Sequence, residues 1–230
     1  MNRKTRQTRH APPASAKGTR PFYAPIEDFA VSAASTLPFP LFSTWMRAYF
    51  QPEETIEKEK ESATFGKIAL CIAISGLIFA ALSNLEILIN IAFAPSAVPE
   101  EAYSQVFLLA MYIAYPITLL IYGFVGSAAI YTISKLLGGI GGYKEQTLGL
   151  AQIYAGRLLF TAPLVLLAQL PLVGIVFALL VLLPELFALY SFYRAIKHIH
   201  HLSSFRAALA VVAPFVALFL LVALITMVSG

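Results

Sequence analysis

One stretch of this sequence constrains the fold more than any other, because no charged residue occurs from Val106 up to Lys135. That interval holds 29 residues (135 − 106), whereas an α-helix needs only about 20 apolar residues to cross a bilayer core of ~30 Å. Over the whole chain, charged residues make up 12%, about half of the roughly 25% that is usual in soluble domains. The sequence therefore excludes a water-soluble single domain and predicts a polytopic membrane protein.

Further apolar stretches predict an all-α bundle of five transmembrane helices. The predicted spans cover about residues 65–83, 106–134, 148–170, 173–192 and 207–227. Residues after the first span include Glu86 and two prolines, and we expect a helix end followed by a loop there. Four spans contain one internal proline each, namely Pro116, Pro163, Pro184 and Pro214. We divide the chain into a disordered basic tail (1–40), interfacial and juxtamembrane helices (41–64) and a membrane domain (65–229).

The basic residues fix the predicted orientation. Segments before the first span, between spans two and three and between spans four and five hold ten, three and three of the 16 Lys and Arg residues. In this count Arg157 lies inside the third span. The positive-inside rule then places the N-terminus in the cytosol and the C-terminus on the opposite side.

The N-terminal tail carries six basic residues within its first 20 positions and no acidic residue before Glu27. A solvated tail that fixes topology is one interpretation. Contact with anionic lipid headgroups is the other, at roughly 1 kcal/mol per basic residue. Nucleic acid is the weakest candidate partner, since no aromatic residue separates the first charges, and we expect none to bind.

Residues 41–50 predict a short amphipathic helix that is too short to span a bilayer. Its apolar face carries large side chains at i, i+3, i+4, i+7 and i+8. They are Phe42, Trp45, Met46, Tyr49 and Phe50. We expect this helix to lie along the headgroups as an interfacial anchor, or to pack on the protein's own transmembrane helices. The following segment, residues 52–67, predicts a solvated helix that feeds straight into the first span.

No motif in the sequence predicts an enzyme or a bound cofactor. The GGIGG segment at 138–142 lacks the spacing of a phosphate loop, and we expect a flexible turn of positive-φ glycines that binds no nucleotide. The histidines at 198, 200 and 201 have no nearby Cys or carboxylate, and Arg194 and Lys197 repel a cation, so we favour an interfacial cap over a metal site. The lone Cys71 excludes an intrachain disulfide.

Arg157 and Glu185 are the only charged residues within the third and fourth predicted spans. Each lies 14 residues from Pro171 (171 − 157 and 185 − 171), where we expect the two helices to turn. Equal depth on adjacent antiparallel helices predicts an intramembrane ion pair, with snorkelling of Arg157 to the headgroups as the alternative. A small permease with a polar site at these two residues is the second functional hypothesis.

Three stretches together resemble a known family. They are Trp45–Ile56, with an aromatic cluster followed by Pro-x-x-x-Ile; Gly138–Leu148, with Gly141, Gly142 and Tyr143, continuing through Pro163; and Ala195–Ser203, continuing through Ala207. Their order around five spans is similar to that of the Yip (Ypt/Rab-interacting protein) membrane domain family over roughly residues 41–225. The segment Glu27–Ala30 lacks the Gly-Pro of the eukaryotic signature, which indicates a prokaryotic-type member.

The resemblance implies a multipass membrane protein without enzymatic chemistry. It implies a scaffold or membrane-organising role related to trafficking. Eukaryotic members are linked to small GTPases. For this chain the resemblance implies other membrane proteins or a second copy as partners, and a prokaryotic cytoplasmic membrane as the location.

Overall fold

A computed structural model describes residues 40–93, 104–170 and 173–229. The predicted basic tail and the turn at Pro171 lie outside these residues. The helices are α1 (Pro40–Phe50), α2 (Pro52–Glu59), α3 (Phe65–Phe93), α4 (Gln105–Leu136), α5 (Tyr143–Ala168), α6 (Gly174–Leu180), α7 (Leu182–His200) and α8 (Ser204–Ser229), with a 3₁₀ turn at Lys60–Ser62. This part of the chain contains no strand. The all-α fold class is confirmed.

Five segments are long and apolar enough to cross a membrane, as predicted. They are α3, α4, α5, the pair α6–α7 and α8. The 32 residues of α4 correspond to about 48 Å of helix at 1.5 Å per residue, which exceeds the ~30 Å hydrocarbon core. Long spans of this kind extend beyond the bilayer. We call the end where α4 ends, α5 begins and α7 ends the basic end of the bundle.

Helix α5 lies at the centre of the bundle and packs against α1, α3, α4 and α7. Its first half is almost continuously buried from Gln146 to Ile153. Helix α4, in contrast, lies at the edge, and none of its most apolar window is buried inside the protein. Exposed apolar side chains on α4, such as Ile113 and Ile121, are the surface that a transmembrane helix presents to lipid.

Helix α3 does not end where the sequence pattern suggested. It continues ten residues beyond Ser83, to Phe93. The apolar residues around Glu86 support the helix, and the carboxylate accepts a 2.8 Å hydrogen bond from Gln169 Nε2. Because Gln169, at the C-terminal end of α5, supplies this hydrogen bond, Glu86 is accommodated within α3.

The fourth span is two helices rather than one. Helix α6 ends at Leu180 and α7 begins at Leu182, with Val181 between them. Pro184 lies in the first turn of α7, where backbone N–H groups have no intrahelical acceptor and a missing N–H costs nothing. The proline thus accompanies an interruption at Val181, whose backbone stays helical (φ −57°, ψ −30°), so the span is interrupted near the proline and not ended there.

The segment between α1 and α3 also differs from the expectation of one solvated helix. After α2 and the 3₁₀ turn, Ala63 takes an extended conformation with ψ 108°, so α2 does not continue into α3. One face of α2 is buried through Pro52, Thr55 and Ile56. Helix α2 packs against α7 and α5, and only its other face is solvated.

Candidate functional site

Arg157 and Glu185 lie side by side between α5 and α7. Arg157 Nη1 is 2.5 Å from Glu185 Oε2, and the two side chains are 19% and 34% exposed. Thr161 Oγ1 donates a 3.3 Å hydrogen bond to the other carboxylate oxygen. The guanidinium carbon lies 4.4 Å from the centre of the Tyr154 ring. The arrangement is an ion pair with two further contacts: the Thr161 hydroxyl bonds to the carboxylate, and the Tyr154 ring packs against the guanidinium.

Helix α1 packs onto this part of the bundle through its aromatic face. Trp45, Tyr49 and Phe50 are buried, whereas Phe42 and Met46 are half-buried. The Tyr49 ring stacks on Phe160 at 5.3 Å between centroids. The described residues thus pack this face on the protein's own helices, an arrangement that is compatible with an interfacial position of α1. The three buried rings are thus not available to lipid headgroups.

Two hydrogen bonds fasten Tyr49 to α7. Its phenol donates to the Pro184 carbonyl at 2.8 Å, and its own carbonyl accepts from Ser191 Oγ at 2.6 Å. Burial, and then the nearby Glu185 carboxylate, raise the pKa of the Tyr49 phenol well above its usual range, so the phenol remains a donor. Helix α1 is therefore fixed in register as well as by apolar contact.

A bidentate ion pair fastens α2 to α7. Arg194 Nε donates to Glu53 Oε1 at 2.7 Å, and Arg194 Nη2 lies 2.7 Å from Glu53 Oε2. The third guanidinium nitrogen donates to the Phe50 carbonyl at 3.0 Å, at the end of α1. One arginine thus holds the C-terminus of α1 and the N-terminus of α2 together.

The GGIGG turn is tightly packed, not flexible. Only Gly138, among the described glycines, has a positive φ, at 89°. A Cβ on Gly139 would lie 2.8 Å from His200 and from the Ser134 carbonyl oxygen, and one on Gly141 would overlap Ile199. The expectation of a run of positive-φ glycines is wrong for these two positions, where glycine permits close approach to α7.

Gly142 and Tyr143 begin α5. Gly142 is the N-cap residue, and its N–H donates to Glu145 Oε2 at 3.4 Å. Tyr143 donates a 3.0 Å hydrogen bond to the Phe124 carbonyl on α4. The N–H groups of Gly139 and Ile140 donate to carbonyls of Ser134 and His200. These N–H donors are therefore bonded within the protein and are not directed at a ligand.

A buried polar network beneath this turn has no counterpart in the sequence predictions. We call it the Gln146 network, and its members are Ser127, Gln146, Thr147 and His200. Each is at most 4% exposed. Gln146 Nε2 donates to the Ser127 carbonyl at 2.7 Å, and its Oε1 lies 2.8 Å from His200 Nε2. Ser127 and Thr147 join through their hydroxyls at 2.7 Å. The network links α4, α5 and α7.

The three histidines do not converge on one site, although the ring centroids of His198 and His201 lie 6.5 Å apart. His200 is buried in the Gln146 network, His198 Nε2 lies 3.6 Å from Glu57 Oε2, and His201 is exposed in a left-handed C-cap conformation. The described residues contain no group of three His, Cys, Asp or Glu that could hold a metal ion. Each histidine therefore has its own role: His198 lies near α2, His200 belongs to the Gln146 network, and His201 ends α7.

We predict that Gln146→Leu lowers the free energy of unfolding by about 2–3 kcal/mol, because it leaves the buried His200 Nε2 without its partner and removes the two hydrogen bonds that Gln146 donates to Ser127. Thermal unfolding of the purified full chain in detergent micelles measures the loss. The matched double variant, Gln146→Leu with His200→Leu, should recover part of it, since both polar partners are then replaced. A single variant as stable as the wild type would contradict the assigned role.

The fold and the buried polar contacts define a class: a helical, multipass integral membrane protein with a packed cap at one end. Residues 46–226 match the Yip1 domain family, which is 181 residues (226 − 46 + 1) of the 230. The chain belongs to the Yip1 domain family. No curated protein and no solved structure gives a significant match.

Proposed function

We propose that this chain is a non-enzymatic, membrane-organising scaffold. Its basic end, with α1 and α2 packed on α5 and α7, provides a preformed surface for a membrane-protein partner or a second copy. The observation that carries the proposal is the packing of Arg157 and Glu185. Their charged groups face each other, Thr161 and Tyr154, and a pair used in this way stabilises the bundle instead of lining a pathway.

The basic end also has the rigidity that a docking platform requires. The Gln146 network joins three helices, and Arg194 joins α1, α2 and α7. A cavity of about 200 Å³ in the described part lies between α1 and α2, outside the bundle. These features support a scaffold over a small permease. We place the basic end in the cytosol because the basic residues cluster there.

Cysteine accessibility separates the scaffold from the permease. In a Cys71→Ser background, Thr161→Cys should resist a membrane-impermeant maleimide from both sides, because Thr161 is buried beside the ion pair. Ser203→Cys, at an exposed position between α7 and α8, is the matched control. It should react only in inside-out vesicles. Rapid modification of Thr161→Cys from one side would favour a water-filled pathway.

Photo-crosslinking tests the platform directly. A photoreactive residue at Lys144, on the basic end, should give a discrete adduct in native membranes, and one at Val106, where α4 begins at the other end, should not. Absence of any discrete adduct from several positions on the basic end would overturn the scaffold proposal. The adduct's mass distinguishes a second copy from another membrane protein.

A further inference from the structure

A polar groove runs along the outer face of α1 and α2, and the proposed scaffold function gives it no role. Thr44, Arg47 and Gln51 recur at i, i+3 and i+7, and the stripe continues onto α2 through Glu54 and Lys58. The opposite stripe is the buried one that packs on α5 and α7. The groove has a volume of about 200 Å³, which is large enough for a small charged group.

Charged side chains in this groove are not paired with each other. Arg47 makes no side-chain hydrogen bond or ion pair with any described residue, and its Nε is buried without a partner. Glu54 and Lys58 have the i,i+4 spacing of a helical ion pair, yet neither forms one within the described chain. The neighbouring pairs do form, with Lys60 at 2.5 Å from Glu57 and Lys67 bound to Glu59.

The free groups have a specific chemistry. A guanidinium with a buried, unsatisfied nitrogen costs free energy unless an acceptor fills the site. Arg47 and Lys58 together suit a phosphate, which arginine binds with two parallel hydrogen bonds. Glu54 can accept hydrogen bonds from an ammonium group. The other glutamate of the groove, Glu59, already forms an ion pair with Lys67. The complementary ligand thus carries one phosphate and one primary ammonium.

The groove lies where phospholipid headgroups are found. The carbonyl of Trp45 packs directly against Gly156 of α5, so closely that a Cβ there would overlap it. Arg157 follows, and α5 has no further charged residue through Ala168. On α2, Ile56 lies between Glu54 and Lys58 and packs against Gly149 of α5. The 20 residues from Gly149 through Ala168 (168 − 149 + 1) correspond to about 30 Å of helix, so the groove lies at the level of the bilayer boundary.

We propose that the groove formed by Arg47, Gln51, Glu54 and Lys58 binds the headgroup of a phospholipid that bears a primary ammonium, with phosphatidylethanolamine as the simplest example. Arg47 and Lys58 hold the phosphate, Gln51 donates a further hydrogen bond to it, and Glu54 accepts from the ammonium. Phosphatidylcholine, whose quaternary ammonium has no N–H to donate, should bind more weakly.

Native mass spectrometry of the full chain in detergent tests the site, with phosphatidylethanolamine, phosphatidylcholine or phosphatidylglycerol added at equal concentration. We expect the wild type to retain phosphatidylethanolamine with about tenfold preference over phosphatidylcholine, the effect of one charge-assisted hydrogen bond. Inorganic phosphate and glycerophosphoethanolamine are the soluble competitors. Displacement of the lipid by inorganic phosphate at equal concentration would show that the groove binds a free phosphate and would overturn the headgroup assignment. Displacement by glycerophosphoethanolamine at equal concentration would show that the acyl chains add nothing and would overturn the assignment to a membrane lipid.

Two variants test the phosphate contact and the ammonium contact separately. Arg47→Gln should reduce retention of phosphatidylethanolamine about tenfold. Glu54→Gln should abolish the preference over phosphatidylcholine while leaving phosphatidylglycerol bound as well or better. Lys144→Gln removes a cation that lies 4.9 Å from the centre of the Phe65 ring, outside the groove. It is the matched control and should leave lipid retention unchanged. Equal retention of all three lipids by the wild type, or no effect of Arg47→Gln and Glu54→Gln in folded protein, would refute the proposal.

Discussion

Replacing Arg157 by leucine is expected to lower the free energy of unfolding by about 2–4 kcal/mol, less than for a fully buried ion pair because the Glu185 side chain is 34% exposed. The carboxylate of Glu185 would then face apolar residues, with Thr161 as its one remaining hydrogen-bond donor among the described residues. Glu185→Leu should have a similar cost, because it leaves the guanidinium without its counter-charge. Chemical unfolding of the full chain in mixed micelles measures both losses.

The matched control removes both charges together. Arg157→Leu with Glu185→Leu should be within about 1 kcal/mol of the wild type, since the desolvation cost of both charges disappears with their attraction. The exchange Arg157→Glu with Glu185→Arg should likewise be more stable than either single reversal. If neither double variant recovers stability, the two residues are not coupled.

Gly156→Leu is expected to detach α1 from the bundle. A side chain at Gly156 would overlap the Trp45 carbonyl and lie 2.7 Å from the Cβ of Tyr49, and the α1 backbone cannot yield without moving the helix. Detachment would expose Trp45, Tyr49 and Phe50, at roughly 1.5–3 kcal/mol for each side chain. The total loss is then about 5 kcal/mol or more of local stability.

Tryptophan fluorescence reports this change directly, because Trp45 is the single tryptophan of the chain. We expect a shift of its emission to longer wavelength and faster amide hydrogen exchange throughout α1. Gly126→Leu is the control, since a Cβ at Gly126 meets nothing within 4 Å. An unchanged Trp45 spectrum in folded Gly156→Leu would contradict the described packing of α1.

Hydropathy and charge predicted the outline of this fold because the bilayer restricts the choices. A long uncharged stretch has few options other than a spanning helix, and the five predicted spans are those of the structure. Equal depth in a hairpin predicted that Arg157 and Glu185 lie at the same level of the bundle. Whether the two side chains meet depends also on the rotation of each helix about its axis, which the sequence left open.

Contacts that depend on helix rotation could not be predicted from the sequence. Arg194 and Glu53 lie 141 residues apart, and His200 and Gln146 lie 54 apart, with no local signal that joins either pair. The unpaired state of Arg47, Glu54 and Lys58 could not be predicted for a related reason. Glu54 and Lys58 have the i,i+4 spacing of an ion pair, and only the structure shows that the two side chains do not meet.

The packing of α1 has a consequence for the order of assembly. Helix α1 leaves the ribosome first, but Ser191, which holds the Tyr49 carbonyl, follows 142 residues later. Until α5 and α7 have been inserted, the aromatic face of α1 has no surface of its own chain to cover it. The membrane interface is the one apolar environment then within reach. We therefore expect the aromatic face of α1 to lie in the membrane interface during synthesis and to pack on α5 and α7 once these helices are inserted.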